Sequence, residues 1–474
     1  MPRHSATSGR WRATLGALRE ARRLEGHETW DRARVRVHQR RLLVGLARHA
    51  RRHSPHYREA LAGIALDDDL DPSALPVLDK ATMLERFDAI VTDRRLTLAA
   101  VEANLRALQA GGGEELLLGA YRAMASGGTS GRRGVFVYGP QDWTRVLGGL
   151  LRFTGGYMGA TPRLPRRRRL AAVVADSPVH MTARMARSLD VGIHRMLRLD
   201  ARAPIGGLVA ALNRFRPEGL TGYSSVVALL ADEQLAGDLR IRPQIVATTS
   251  EVRTPEMERR IRSAWGREPF NAYAATETGF IATDCGCHAG LHVLEDLVLV
   301  EVVDEKGREV PAGTAGARAL VTNLVNRTQP LIRLELDDLL TLAPDPCPCG
   351  RPFPVLTSVD GRSDDVLPLP AREGGTVSVH PLTLRSPLTA VDGLRQYRIV
   401  HDRHGLTVEA VLRDGLGERA GREIAAEIAQ RLREALAARG VEPPSIRVER
   451  VAAIERHPGS GKAKLVETRL SEAP

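Results

Sequence analysis

The feature that most constrains this fold is an alternation, between residues 135 and 279, of short apolar runs with stretches of helical spacing. Val135-Phe136-Val137-Tyr138 and residues 170–175 and 244–249 have the length and composition of buried strands, and residues 219–224 lead into a further helix. Helical periodicity occupies residues 143–153, 226–235 and 255–265. Such alternation reads as α/β with a largely parallel sheet, whose ligands collect at the carboxyl ends of the strands. Two polar clusters fall at such ends: Thr248-Thr249-Ser250-Glu251 and Asn271-Ala272-Tyr273-Ala274-Ala275-Thr276-Glu277-Thr278-Gly279.

On either side the pattern changes. Residues 11–66 carry helical spacing broken at Pro55, and Leu75-Pro76-Val77-Leu78-Asp79 leads into a helix that Asp79 caps by accepting from free first-turn N–H groups. Runs at 298–303 and 319–322, joined by Gly/Pro turns, predict an antiparallel sheet, and the alternating stretch 331–339 ends in acids. After residue 360 comes a smaller α+β pattern with a strand at 397–401, an amphipathic helix at 422–439 and a tail holding Gly459-Ser460-Gly461-Lys462-Ala463-Lys464. At 474 residues the chain exceeds one ordinary core. The expected division is an N-terminal domain of residues 1–360, with a helical lead-in over about 1–115 and a β-rich part over about 281–355, and a C-terminal domain of residues 361–474.

A net charge of +11 and a pI near 10 call for an anionic partner, which nucleic acid, a membrane surface or small polyanions could each supply. Aromatic residues make up only 4%, too few for the stacking platforms that bind single-stranded nucleic acid. No run approaches the roughly 18 apolar residues of a membrane span, and the basic N-terminus lacks the apolar core of a secretory signal. The expectation is a cytoplasmic protein with no membrane or nucleic-acid partner. Among 68 basic residues only Lys80, Lys306, Lys462 and Lys464 are lysines, so arginine serves nearly everywhere a generic cation would do. Arg166-Arg167-Arg168-Arg169 reads as a solvated loop.

Ser126-Gly127-Gly128-Thr129-Ser130-Gly131-Arg132-Arg133-Gly134 has the composition of a polyphosphate cradle: glycines turn backbone N–H groups toward an anion, hydroxyls add donors, and arginines supply charge. It is not a Walker loop, because arginine follows the loop glycine and a strand, not a helix, comes next. The four cysteines form two C-x-C pairs, Cys285/Cys287 and Cys347/Cys349, with His288 and His292 near the first. In a reducing compartment these read as ligands of a closed structural zinc site sooner than as disulfides.

In this order and spacing the landmarks resemble the adenylate-forming (AMP-binding) enzyme superfamily, within it the phenylacetate-coenzyme A ligase-like branch. The likeness is strong over about residues 40–365 and weaker beyond. It implies the α/β adenylate-forming-enzyme fold, a large N-terminal domain of mixed sheets and helices with a small, mobile α+β C-terminal domain. It also implies an ATP-dependent ligase that adenylates a carboxylic acid, aryl acids being the usual guess, and passes the acyl group to coenzyme A. In that reading Ser126, Gly127, Gly128, Thr129, Ser130, Gly131 and Arg132 hold phosphates, and Ser250, Glu251 and Asn271 join the nucleotide site. Tyr273 stacks on adenine, Thr276 and Glu277 serve catalysis with Glu277 on Mg²⁺, and Asp338 accepts from ribose. Arg362, in the hinge motif 361–365, contacts ribose or phosphate, and Lys462 is the catalytic lysine, with Lys464 its rival. Tyr157, Met158, Tyr223 and Val226 are expected to wall the acid pocket. Some branch members carry a zinc site whose ligands match Cys285, His292, Cys347 and Cys349, although Cys287 could replace His292. A homodimer is among the expected partners. The chain departs from the branch at Arg132, where lysine is common, at Tyr273-Ala274, and over residues 366–375, where a strand and a Gly-rich turn are usual. That last departure leaves an amine acceptor as the alternative to coenzyme A. From another class, a basic zinc-containing nucleic-acid-binding protein is the rival, and a degenerate ligase that binds nucleotide without turnover is a third reading.

Overall fold

Small and β-branched residues build the strands that carry the site. The computed structural model describes residues 3–126, 134–157, 167–188, 194–362, 366–379, 381–413, 415–457 and 462–469. Strands β1 (Arg122–Ala125) and β2 (Val135–Tyr138) form an antiparallel hairpin. The next five, β3 (Arg169–Val174), β4 (Arg195–Asp200), β5 (Gly219–Tyr223), β6 (Ile245–Thr249) and β7 (Phe270–Ala275), pair in parallel in the order β4-β3-β5-β6-β7. This is the parallel sheet the alternation predicts. The expected helices are found as Pro140–Tyr157, Ser224–Ala236 and Pro255–Trp265, whereas β4 and the helices Met181–Ser188 and Ile205–Phe215 were not read from the sequence. Pro255–Trp265 matches to the residue because Thr254 caps its start and Gly266, at φ 64°, ends it.

Past β7 the same sheet turns antiparallel. β8 (Gly279–Thr283) and β9 (Leu291–Val293) continue it, whereas β10 (Val298–Val303), β11 (Arg318–Asn323) and β12 (Leu334–Leu336) leave to form a separate antiparallel sheet. β13 (Asp338–Leu342) and β14 (Val355–Arg362) then return, so the large sheet has nine strands. The run 331–339 is therefore not one strand. Asp337 alone separates β12 from β13, and the bend sends Leu334 and Leu336 to one sheet and Leu339 and Leu340 to the other.

The N-terminal segment is helical, as expected, beginning with Arg3–His27 and Arg32–His53. The first helix lies close on Pro140–Tyr157. A Cβ on Gly148 would stand only 2.8 Å from the Cβ of Glu20, so no larger residue fits there without the helices parting. At the far end of this contact Asp296 is wholly buried and accepts from both Arg152 guanidinium nitrogens, at 2.7 and 3.1 Å, and from His27 Nδ1 at 2.8 Å. Burial alone would raise the Asp296 carboxyl, but the charge of Arg152 and these donors hold it down to about 2. Asp79 caps the helix Lys80–Glu85, accepting from Thr82 N at 2.8 Å.

Residues beyond 366 have a core of their own, built by Leu367, Leu369, Ile399, Val408, Ile428 and Leu432 among others. Sequence patterning found the strand at 397–401 and the helix, observed as β17 (Leu394–Asp402) and Glu418–Ala437. It missed the hairpin of β15 (Leu367–Pro370) and β16 (Thr376–Val379), and also β18 (Gly405–Leu412), β19 (Ile446–Arg450) and β20 (Val466–Thr468), which join β17 in the order β19-β18-β17-β20. The departure noted at residues 366–375 is corrected here: Leu367 and Leu369 face the core, Pro368 and Pro370 face outward on a two-stranded edge, and Gly374 and Gly375 make the turn with φ of 89° and 85°. A strand and a Gly-rich turn are present, disguised by proline. No helix among the described residues is long and apolar enough to cross a membrane.

Candidate active site

A cavity of about 1580 Å³ opens at the carboxyl ends of β3, β5, β6 and β7, lined on one side by residues 455–457 and 462–469. Ser126 and Gly134 stand at its wall as the neck of the β1–β2 hairpin, Ser126 N donating to Gly134 O at 2.9 Å and Gly134 N to Ser126 Oγ at 2.9 Å. Gly134 cannot be replaced without movement, because a Cβ there would lie 2.7 Å from the Phe136 ring. Gly127, Gly128, Thr129, Ser130, Gly131 and Arg132 lie outside the described residues. β2 is held by side chains from a neighbouring loop: Val137 N donates to Gln329 Oε1 at 2.8 Å, and Asn326 Nδ2 donates to Val137 O at 3.0 Å. These buried amides satisfy backbone groups that a strand without a second neighbour would leave unpaired.

The β7–β8 turn brings Thr276 and Glu277 to the same cavity. Tyr138 Oη donates to Thr276 O at 2.8 Å and Asn323 Nδ2 to Glu277 O at 2.9 Å, so both backbone carbonyls are pinned from below. Glu277 is only 7% exposed. Burial, reinforced by the charge of Glu277 and Asp142, pushes the Tyr138 hydroxyl well above its ordinary value and keeps it a neutral donor.

Tyr273 Oη donates to Asp338 Oδ2 at 2.9 Å, bringing the expected adenine and ribose residues into direct contact across 65 positions of sequence. In the β13–β14 register Arg362 stands directly opposite Asp338, although its side chain lies outside the described residues. Asn271 lines the cavity with its side-chain oxygen accepting from Thr248 Oγ1 at 3.1 Å. Ser250 follows β6 in the left-handed region at φ 68°, a conformation rare outside glycine and common where strands end at ligand sites.

Glu251 lines the cavity, its carboxylate accepting from Ser225 N at 2.9 Å and from Ala463 N at 2.8 Å. One expectation changes. Val226 does not wall the acid pocket: it is 1% exposed, in the core between the sheet and its own helix, because it sits within the first turn of Ser224–Ala236, packed into the cluster that β5 and β6 share. Tyr223 does line the cavity, its hydroxyl accepting from Ala175 N at 3.1 Å, while the Tyr157 side chain and Met158 lie outside the described residues.

Lys462 and Lys464 both line the cavity, and Lys462 O accepts from His457 N at 2.9 Å, closing the neck of the loop that carries it. Sequence reasoning assigned nothing to Lys80, which reaches the same cavity and donates to Asp337 Oδ2 at 2.8 Å, next to Asp338. The scarcity of lysine was the signal: of the four in the chain, all but Lys306 meet at this site. Also missed was the apolar end of the cavity, where Leu18 and Ala21 of the first helix face Leu150, Phe153, Met181 and Phe280.

The metal ligands suggested by the spacing converge. Ligand atoms of Cys285, His292, Cys347 and Cys349 all lie within 4.8 Å of one another, with Cys285 Sγ 3.7 Å from Cys347 Sγ and Cys349 Sγ 3.3 Å from His292 Nε2. Thiolates about 2.3 Å from a shared tetrahedral zinc stand about 3.8 Å apart, so the observed spacing fits that ion. His292 Nδ1 donates to Phe353 O at 3.2 Å, which leaves Nε2 unprotonated toward the thiols. Cys287 is exposed and outside this group.

No family model matches the chain. A phenylacetate-coenzyme A ligase of Thermus thermophilus is 28% identical over 228 residues, 46% of this chain and 50% of that enzyme. The chain thus matches half the length of this curated relative. Among solved structures, 2-hydroxyisobutyryl-CoA ligase in the postadenylation state overlays with a TM-score of 0.69 at 20% identity, over 92% of this chain and 89% of that one. The same ligase in its thioesterification state, with 2-HIB-AMP and CoA, gives 0.55 at 20% identity over 94% and 91%. ATP-bound MatB from Rhodopseudomonas palustris gives 0.50 at 16% identity over 72% and 65%.

Proposed function

We propose that the chain is a member of the adenylate-forming enzyme superfamily and, from that premise, an ATP-dependent, AMP-forming acid ligase that makes acyl-coenzyme A thioesters. The observation that carries this reading is the convergence of the Tyr273–Asp338 pair, the Glu277 turn, the Ser126–Gly134 neck and Lys462 on one cavity. In the first step an acid carboxylate oxygen attacks the α-phosphorus of ATP, the bond to the bridging oxygen breaks, and pyrophosphate leaves with the electron pair. Nucleophile and electrophile are both anionic, so the protein's task is positioning and charge neutralisation. Tyr273 and Asp338, joined by their hydrogen bond, orient the nucleoside. Ser126 and Gly134, the hairpin neck at the cavity wall, stand on the side assigned to the phosphates. Lys462 places a compact ammonium between the carboxylate and the α-phosphate, a task for a point charge more than for a planar fork.

Mg²⁺ held by the Glu277 carboxylate would add positive charge on the departing phosphates. The cluster of Cys285, His292, Cys347 and Cys349 would hold a structural zinc that ties β8 and β9 to the loop before β14. In the second step the coenzyme A thiolate attacks the acyl carbonyl and AMP departs. Support for coenzyme A over an amine comes from the hairpin β15–β16, which removes the departure that suggested another acceptor, and from the named activities of the relatives. The apolar end of the cavity, with Phe153 and Phe280 at a centroid distance of 5.5 Å, suits an aryl or compact branched acid. Pyrophosphate release measured over a panel of carboxylic acids tests this reading. Release with aryl or branched acids is expected, and none with any acid would reject it.

A further inference from the structure

Glu251 is attached to β6 of the large sheet, yet its carboxylate is turned to the C-terminal segment. One oxygen accepts from Ala463 N at 2.8 Å and the other from Ser225 N at 2.9 Å. Arg456 Nη1 lies 3.8 Å from the first oxygen and donates to Ser225 Oγ at 2.9 Å. Ala463 is the residue between Lys462 and Lys464, so the backbone that carries the catalytic lysine is tied to this one side chain. A second anchor sits farther along the helix Ser224–Ala236, where Arg395 of β17 donates to Asp232 at 2.9 Å and lies 3.3 Å from Glu233. All these contacts join the region 224–251 to residues beyond 394. The arrangement overlays better on the postadenylation state of 2-hydroxyisobutyryl-CoA ligase than on its thioesterification state.

We propose that Glu251 is a positioning residue which, with Arg456, clamps the Lys462 segment over the cavity for acid activation and releases it for acyl transfer. The inference rests on the acid-ligase reading above. Two backbone N–H groups on one carboxylate form a charge-assisted anchor short enough to fix the main chain of Ala463 and, through it, the origin of the Lys462 side chain. The flanking pairs keep part of their hydration: Arg456 is 18% and Arg395 20% exposed. Both arginines thus keep contact with water that can replace their partners when the segment moves.

The test separates the half-reactions. Glu251→Gln keeps the shape of the side chain and removes its charge. Acid-dependent exchange of labelled pyrophosphate into ATP should fall about 10²-fold, the scale of a small misplacement of a catalytic group. Acyl transfer from supplied acyl-AMP to coenzyme A should stay within about twofold in the same preparation, which also shows that the variant is folded. Arg456→Ala should reproduce the loss, and Arg456→Lys should recover most of it. Equal losses in both half-reactions, or exchange in Glu251→Gln at the wild-type rate, would overturn the clamp. Wild-type exchange is measured first: its absence with every acid would overturn the acid-ligase reading and the clamp with it, whereas normal exchange in the variant counts against the clamp alone.

Discussion

Two joints hold peripheral segments to the large sheet, and they are built differently. The N-terminal helix is locked by Arg152 and His27 around Asp296, where the arginine is 3% and the carboxylate 1% exposed. The C-terminal segment is held by Glu251, Arg456, Asp232 and Arg395, pairs whose arginines are about a fifth exposed. A charge buried as a set cannot be parted without stranding one partner, so the first joint is permanent. The second can exchange its partners for water. The molecule thus places a fixed attachment behind the apolar end of the cavity and a more hydrated one beside Lys462, as the proposed two-step reaction at one site would require.

The proposed zinc site at Cys285, His292, Cys347 and Cys349 would be the extreme of the permanent class and gives the largest expected effect. Structural zinc in small peptides is worth about 10–16 kcal/mol, so Cys347→Ser should lose the metal and unfold the β8–β9 region, read by metal analysis and thermal melting. Cys287→Ser should keep both, since Cys287 lies outside the cluster. Metal-free protein that melts like the wild type would remove this joint from the comparison.

Next comes the buried charge set. Arg152→Ala should destabilise the fold by about 3–5 kcal/mol in denaturant unfolding, because it leaves Asp296 buried with half its partners. The pH dependence has a definite sign. Asp296 is held at about 2, below its ordinary 3.8, so its contribution stands above that ordinary value and is lost as the pH falls toward 2. Acid unfolding of Arg152→Ala should accordingly begin at higher pH than that of the wild type.

The releasable joint should show in rates sooner than in stability. Lys462→Ala should slow adenylation by about 10²–10³ and leave transfer from supplied acyl-AMP intact, with Lys464→Ala as the control. Equal loss from Lys464→Ala would move the catalytic cation two residues along the chain. Smallest of all, Arg395→Ala should change unfolding free energy by about 0.2–1 kcal/mol, the range of a partly exposed ion pair. A loss as large as that of Arg152→Ala would erase the distinction between the joints.

What could be read from the sequence follows the range over which the relevant forces act. The helix Pro255–Trp265 was legible to its ends because Thr254 and Gly266 act within one turn, and the parallel strands because each is a short apolar run between helices. The candidate metal cluster was legible as two C-x-C pairs with His292 beside them, and the fold groups His292, not the alternative Cys287, with the other three. Glu251 reads as a nucleotide residue in sequence because its partner Ala463 is 212 residues away and nothing in its own neighbourhood marks that contact. Val226 reads as a pocket residue from its position after β5, since a helix start does not reveal which face is buried. β19 escaped because none of its residues is buried, and β15 because alternate prolines hide its apolar face.

The central claim is that the acid's own oxygen attacks the α-phosphorus of ATP. An acid found active in the panel and labelled with ¹⁸O in both carboxylate positions tests it directly, with the products separated by mass after turnover with ATP and coenzyme A. One labelled oxygen should appear in the phosphate of AMP, with none in pyrophosphate and an acyl thioester formed in equal amount. Label recovered in inorganic phosphate alongside ADP, or AMP released without label, would contradict the account.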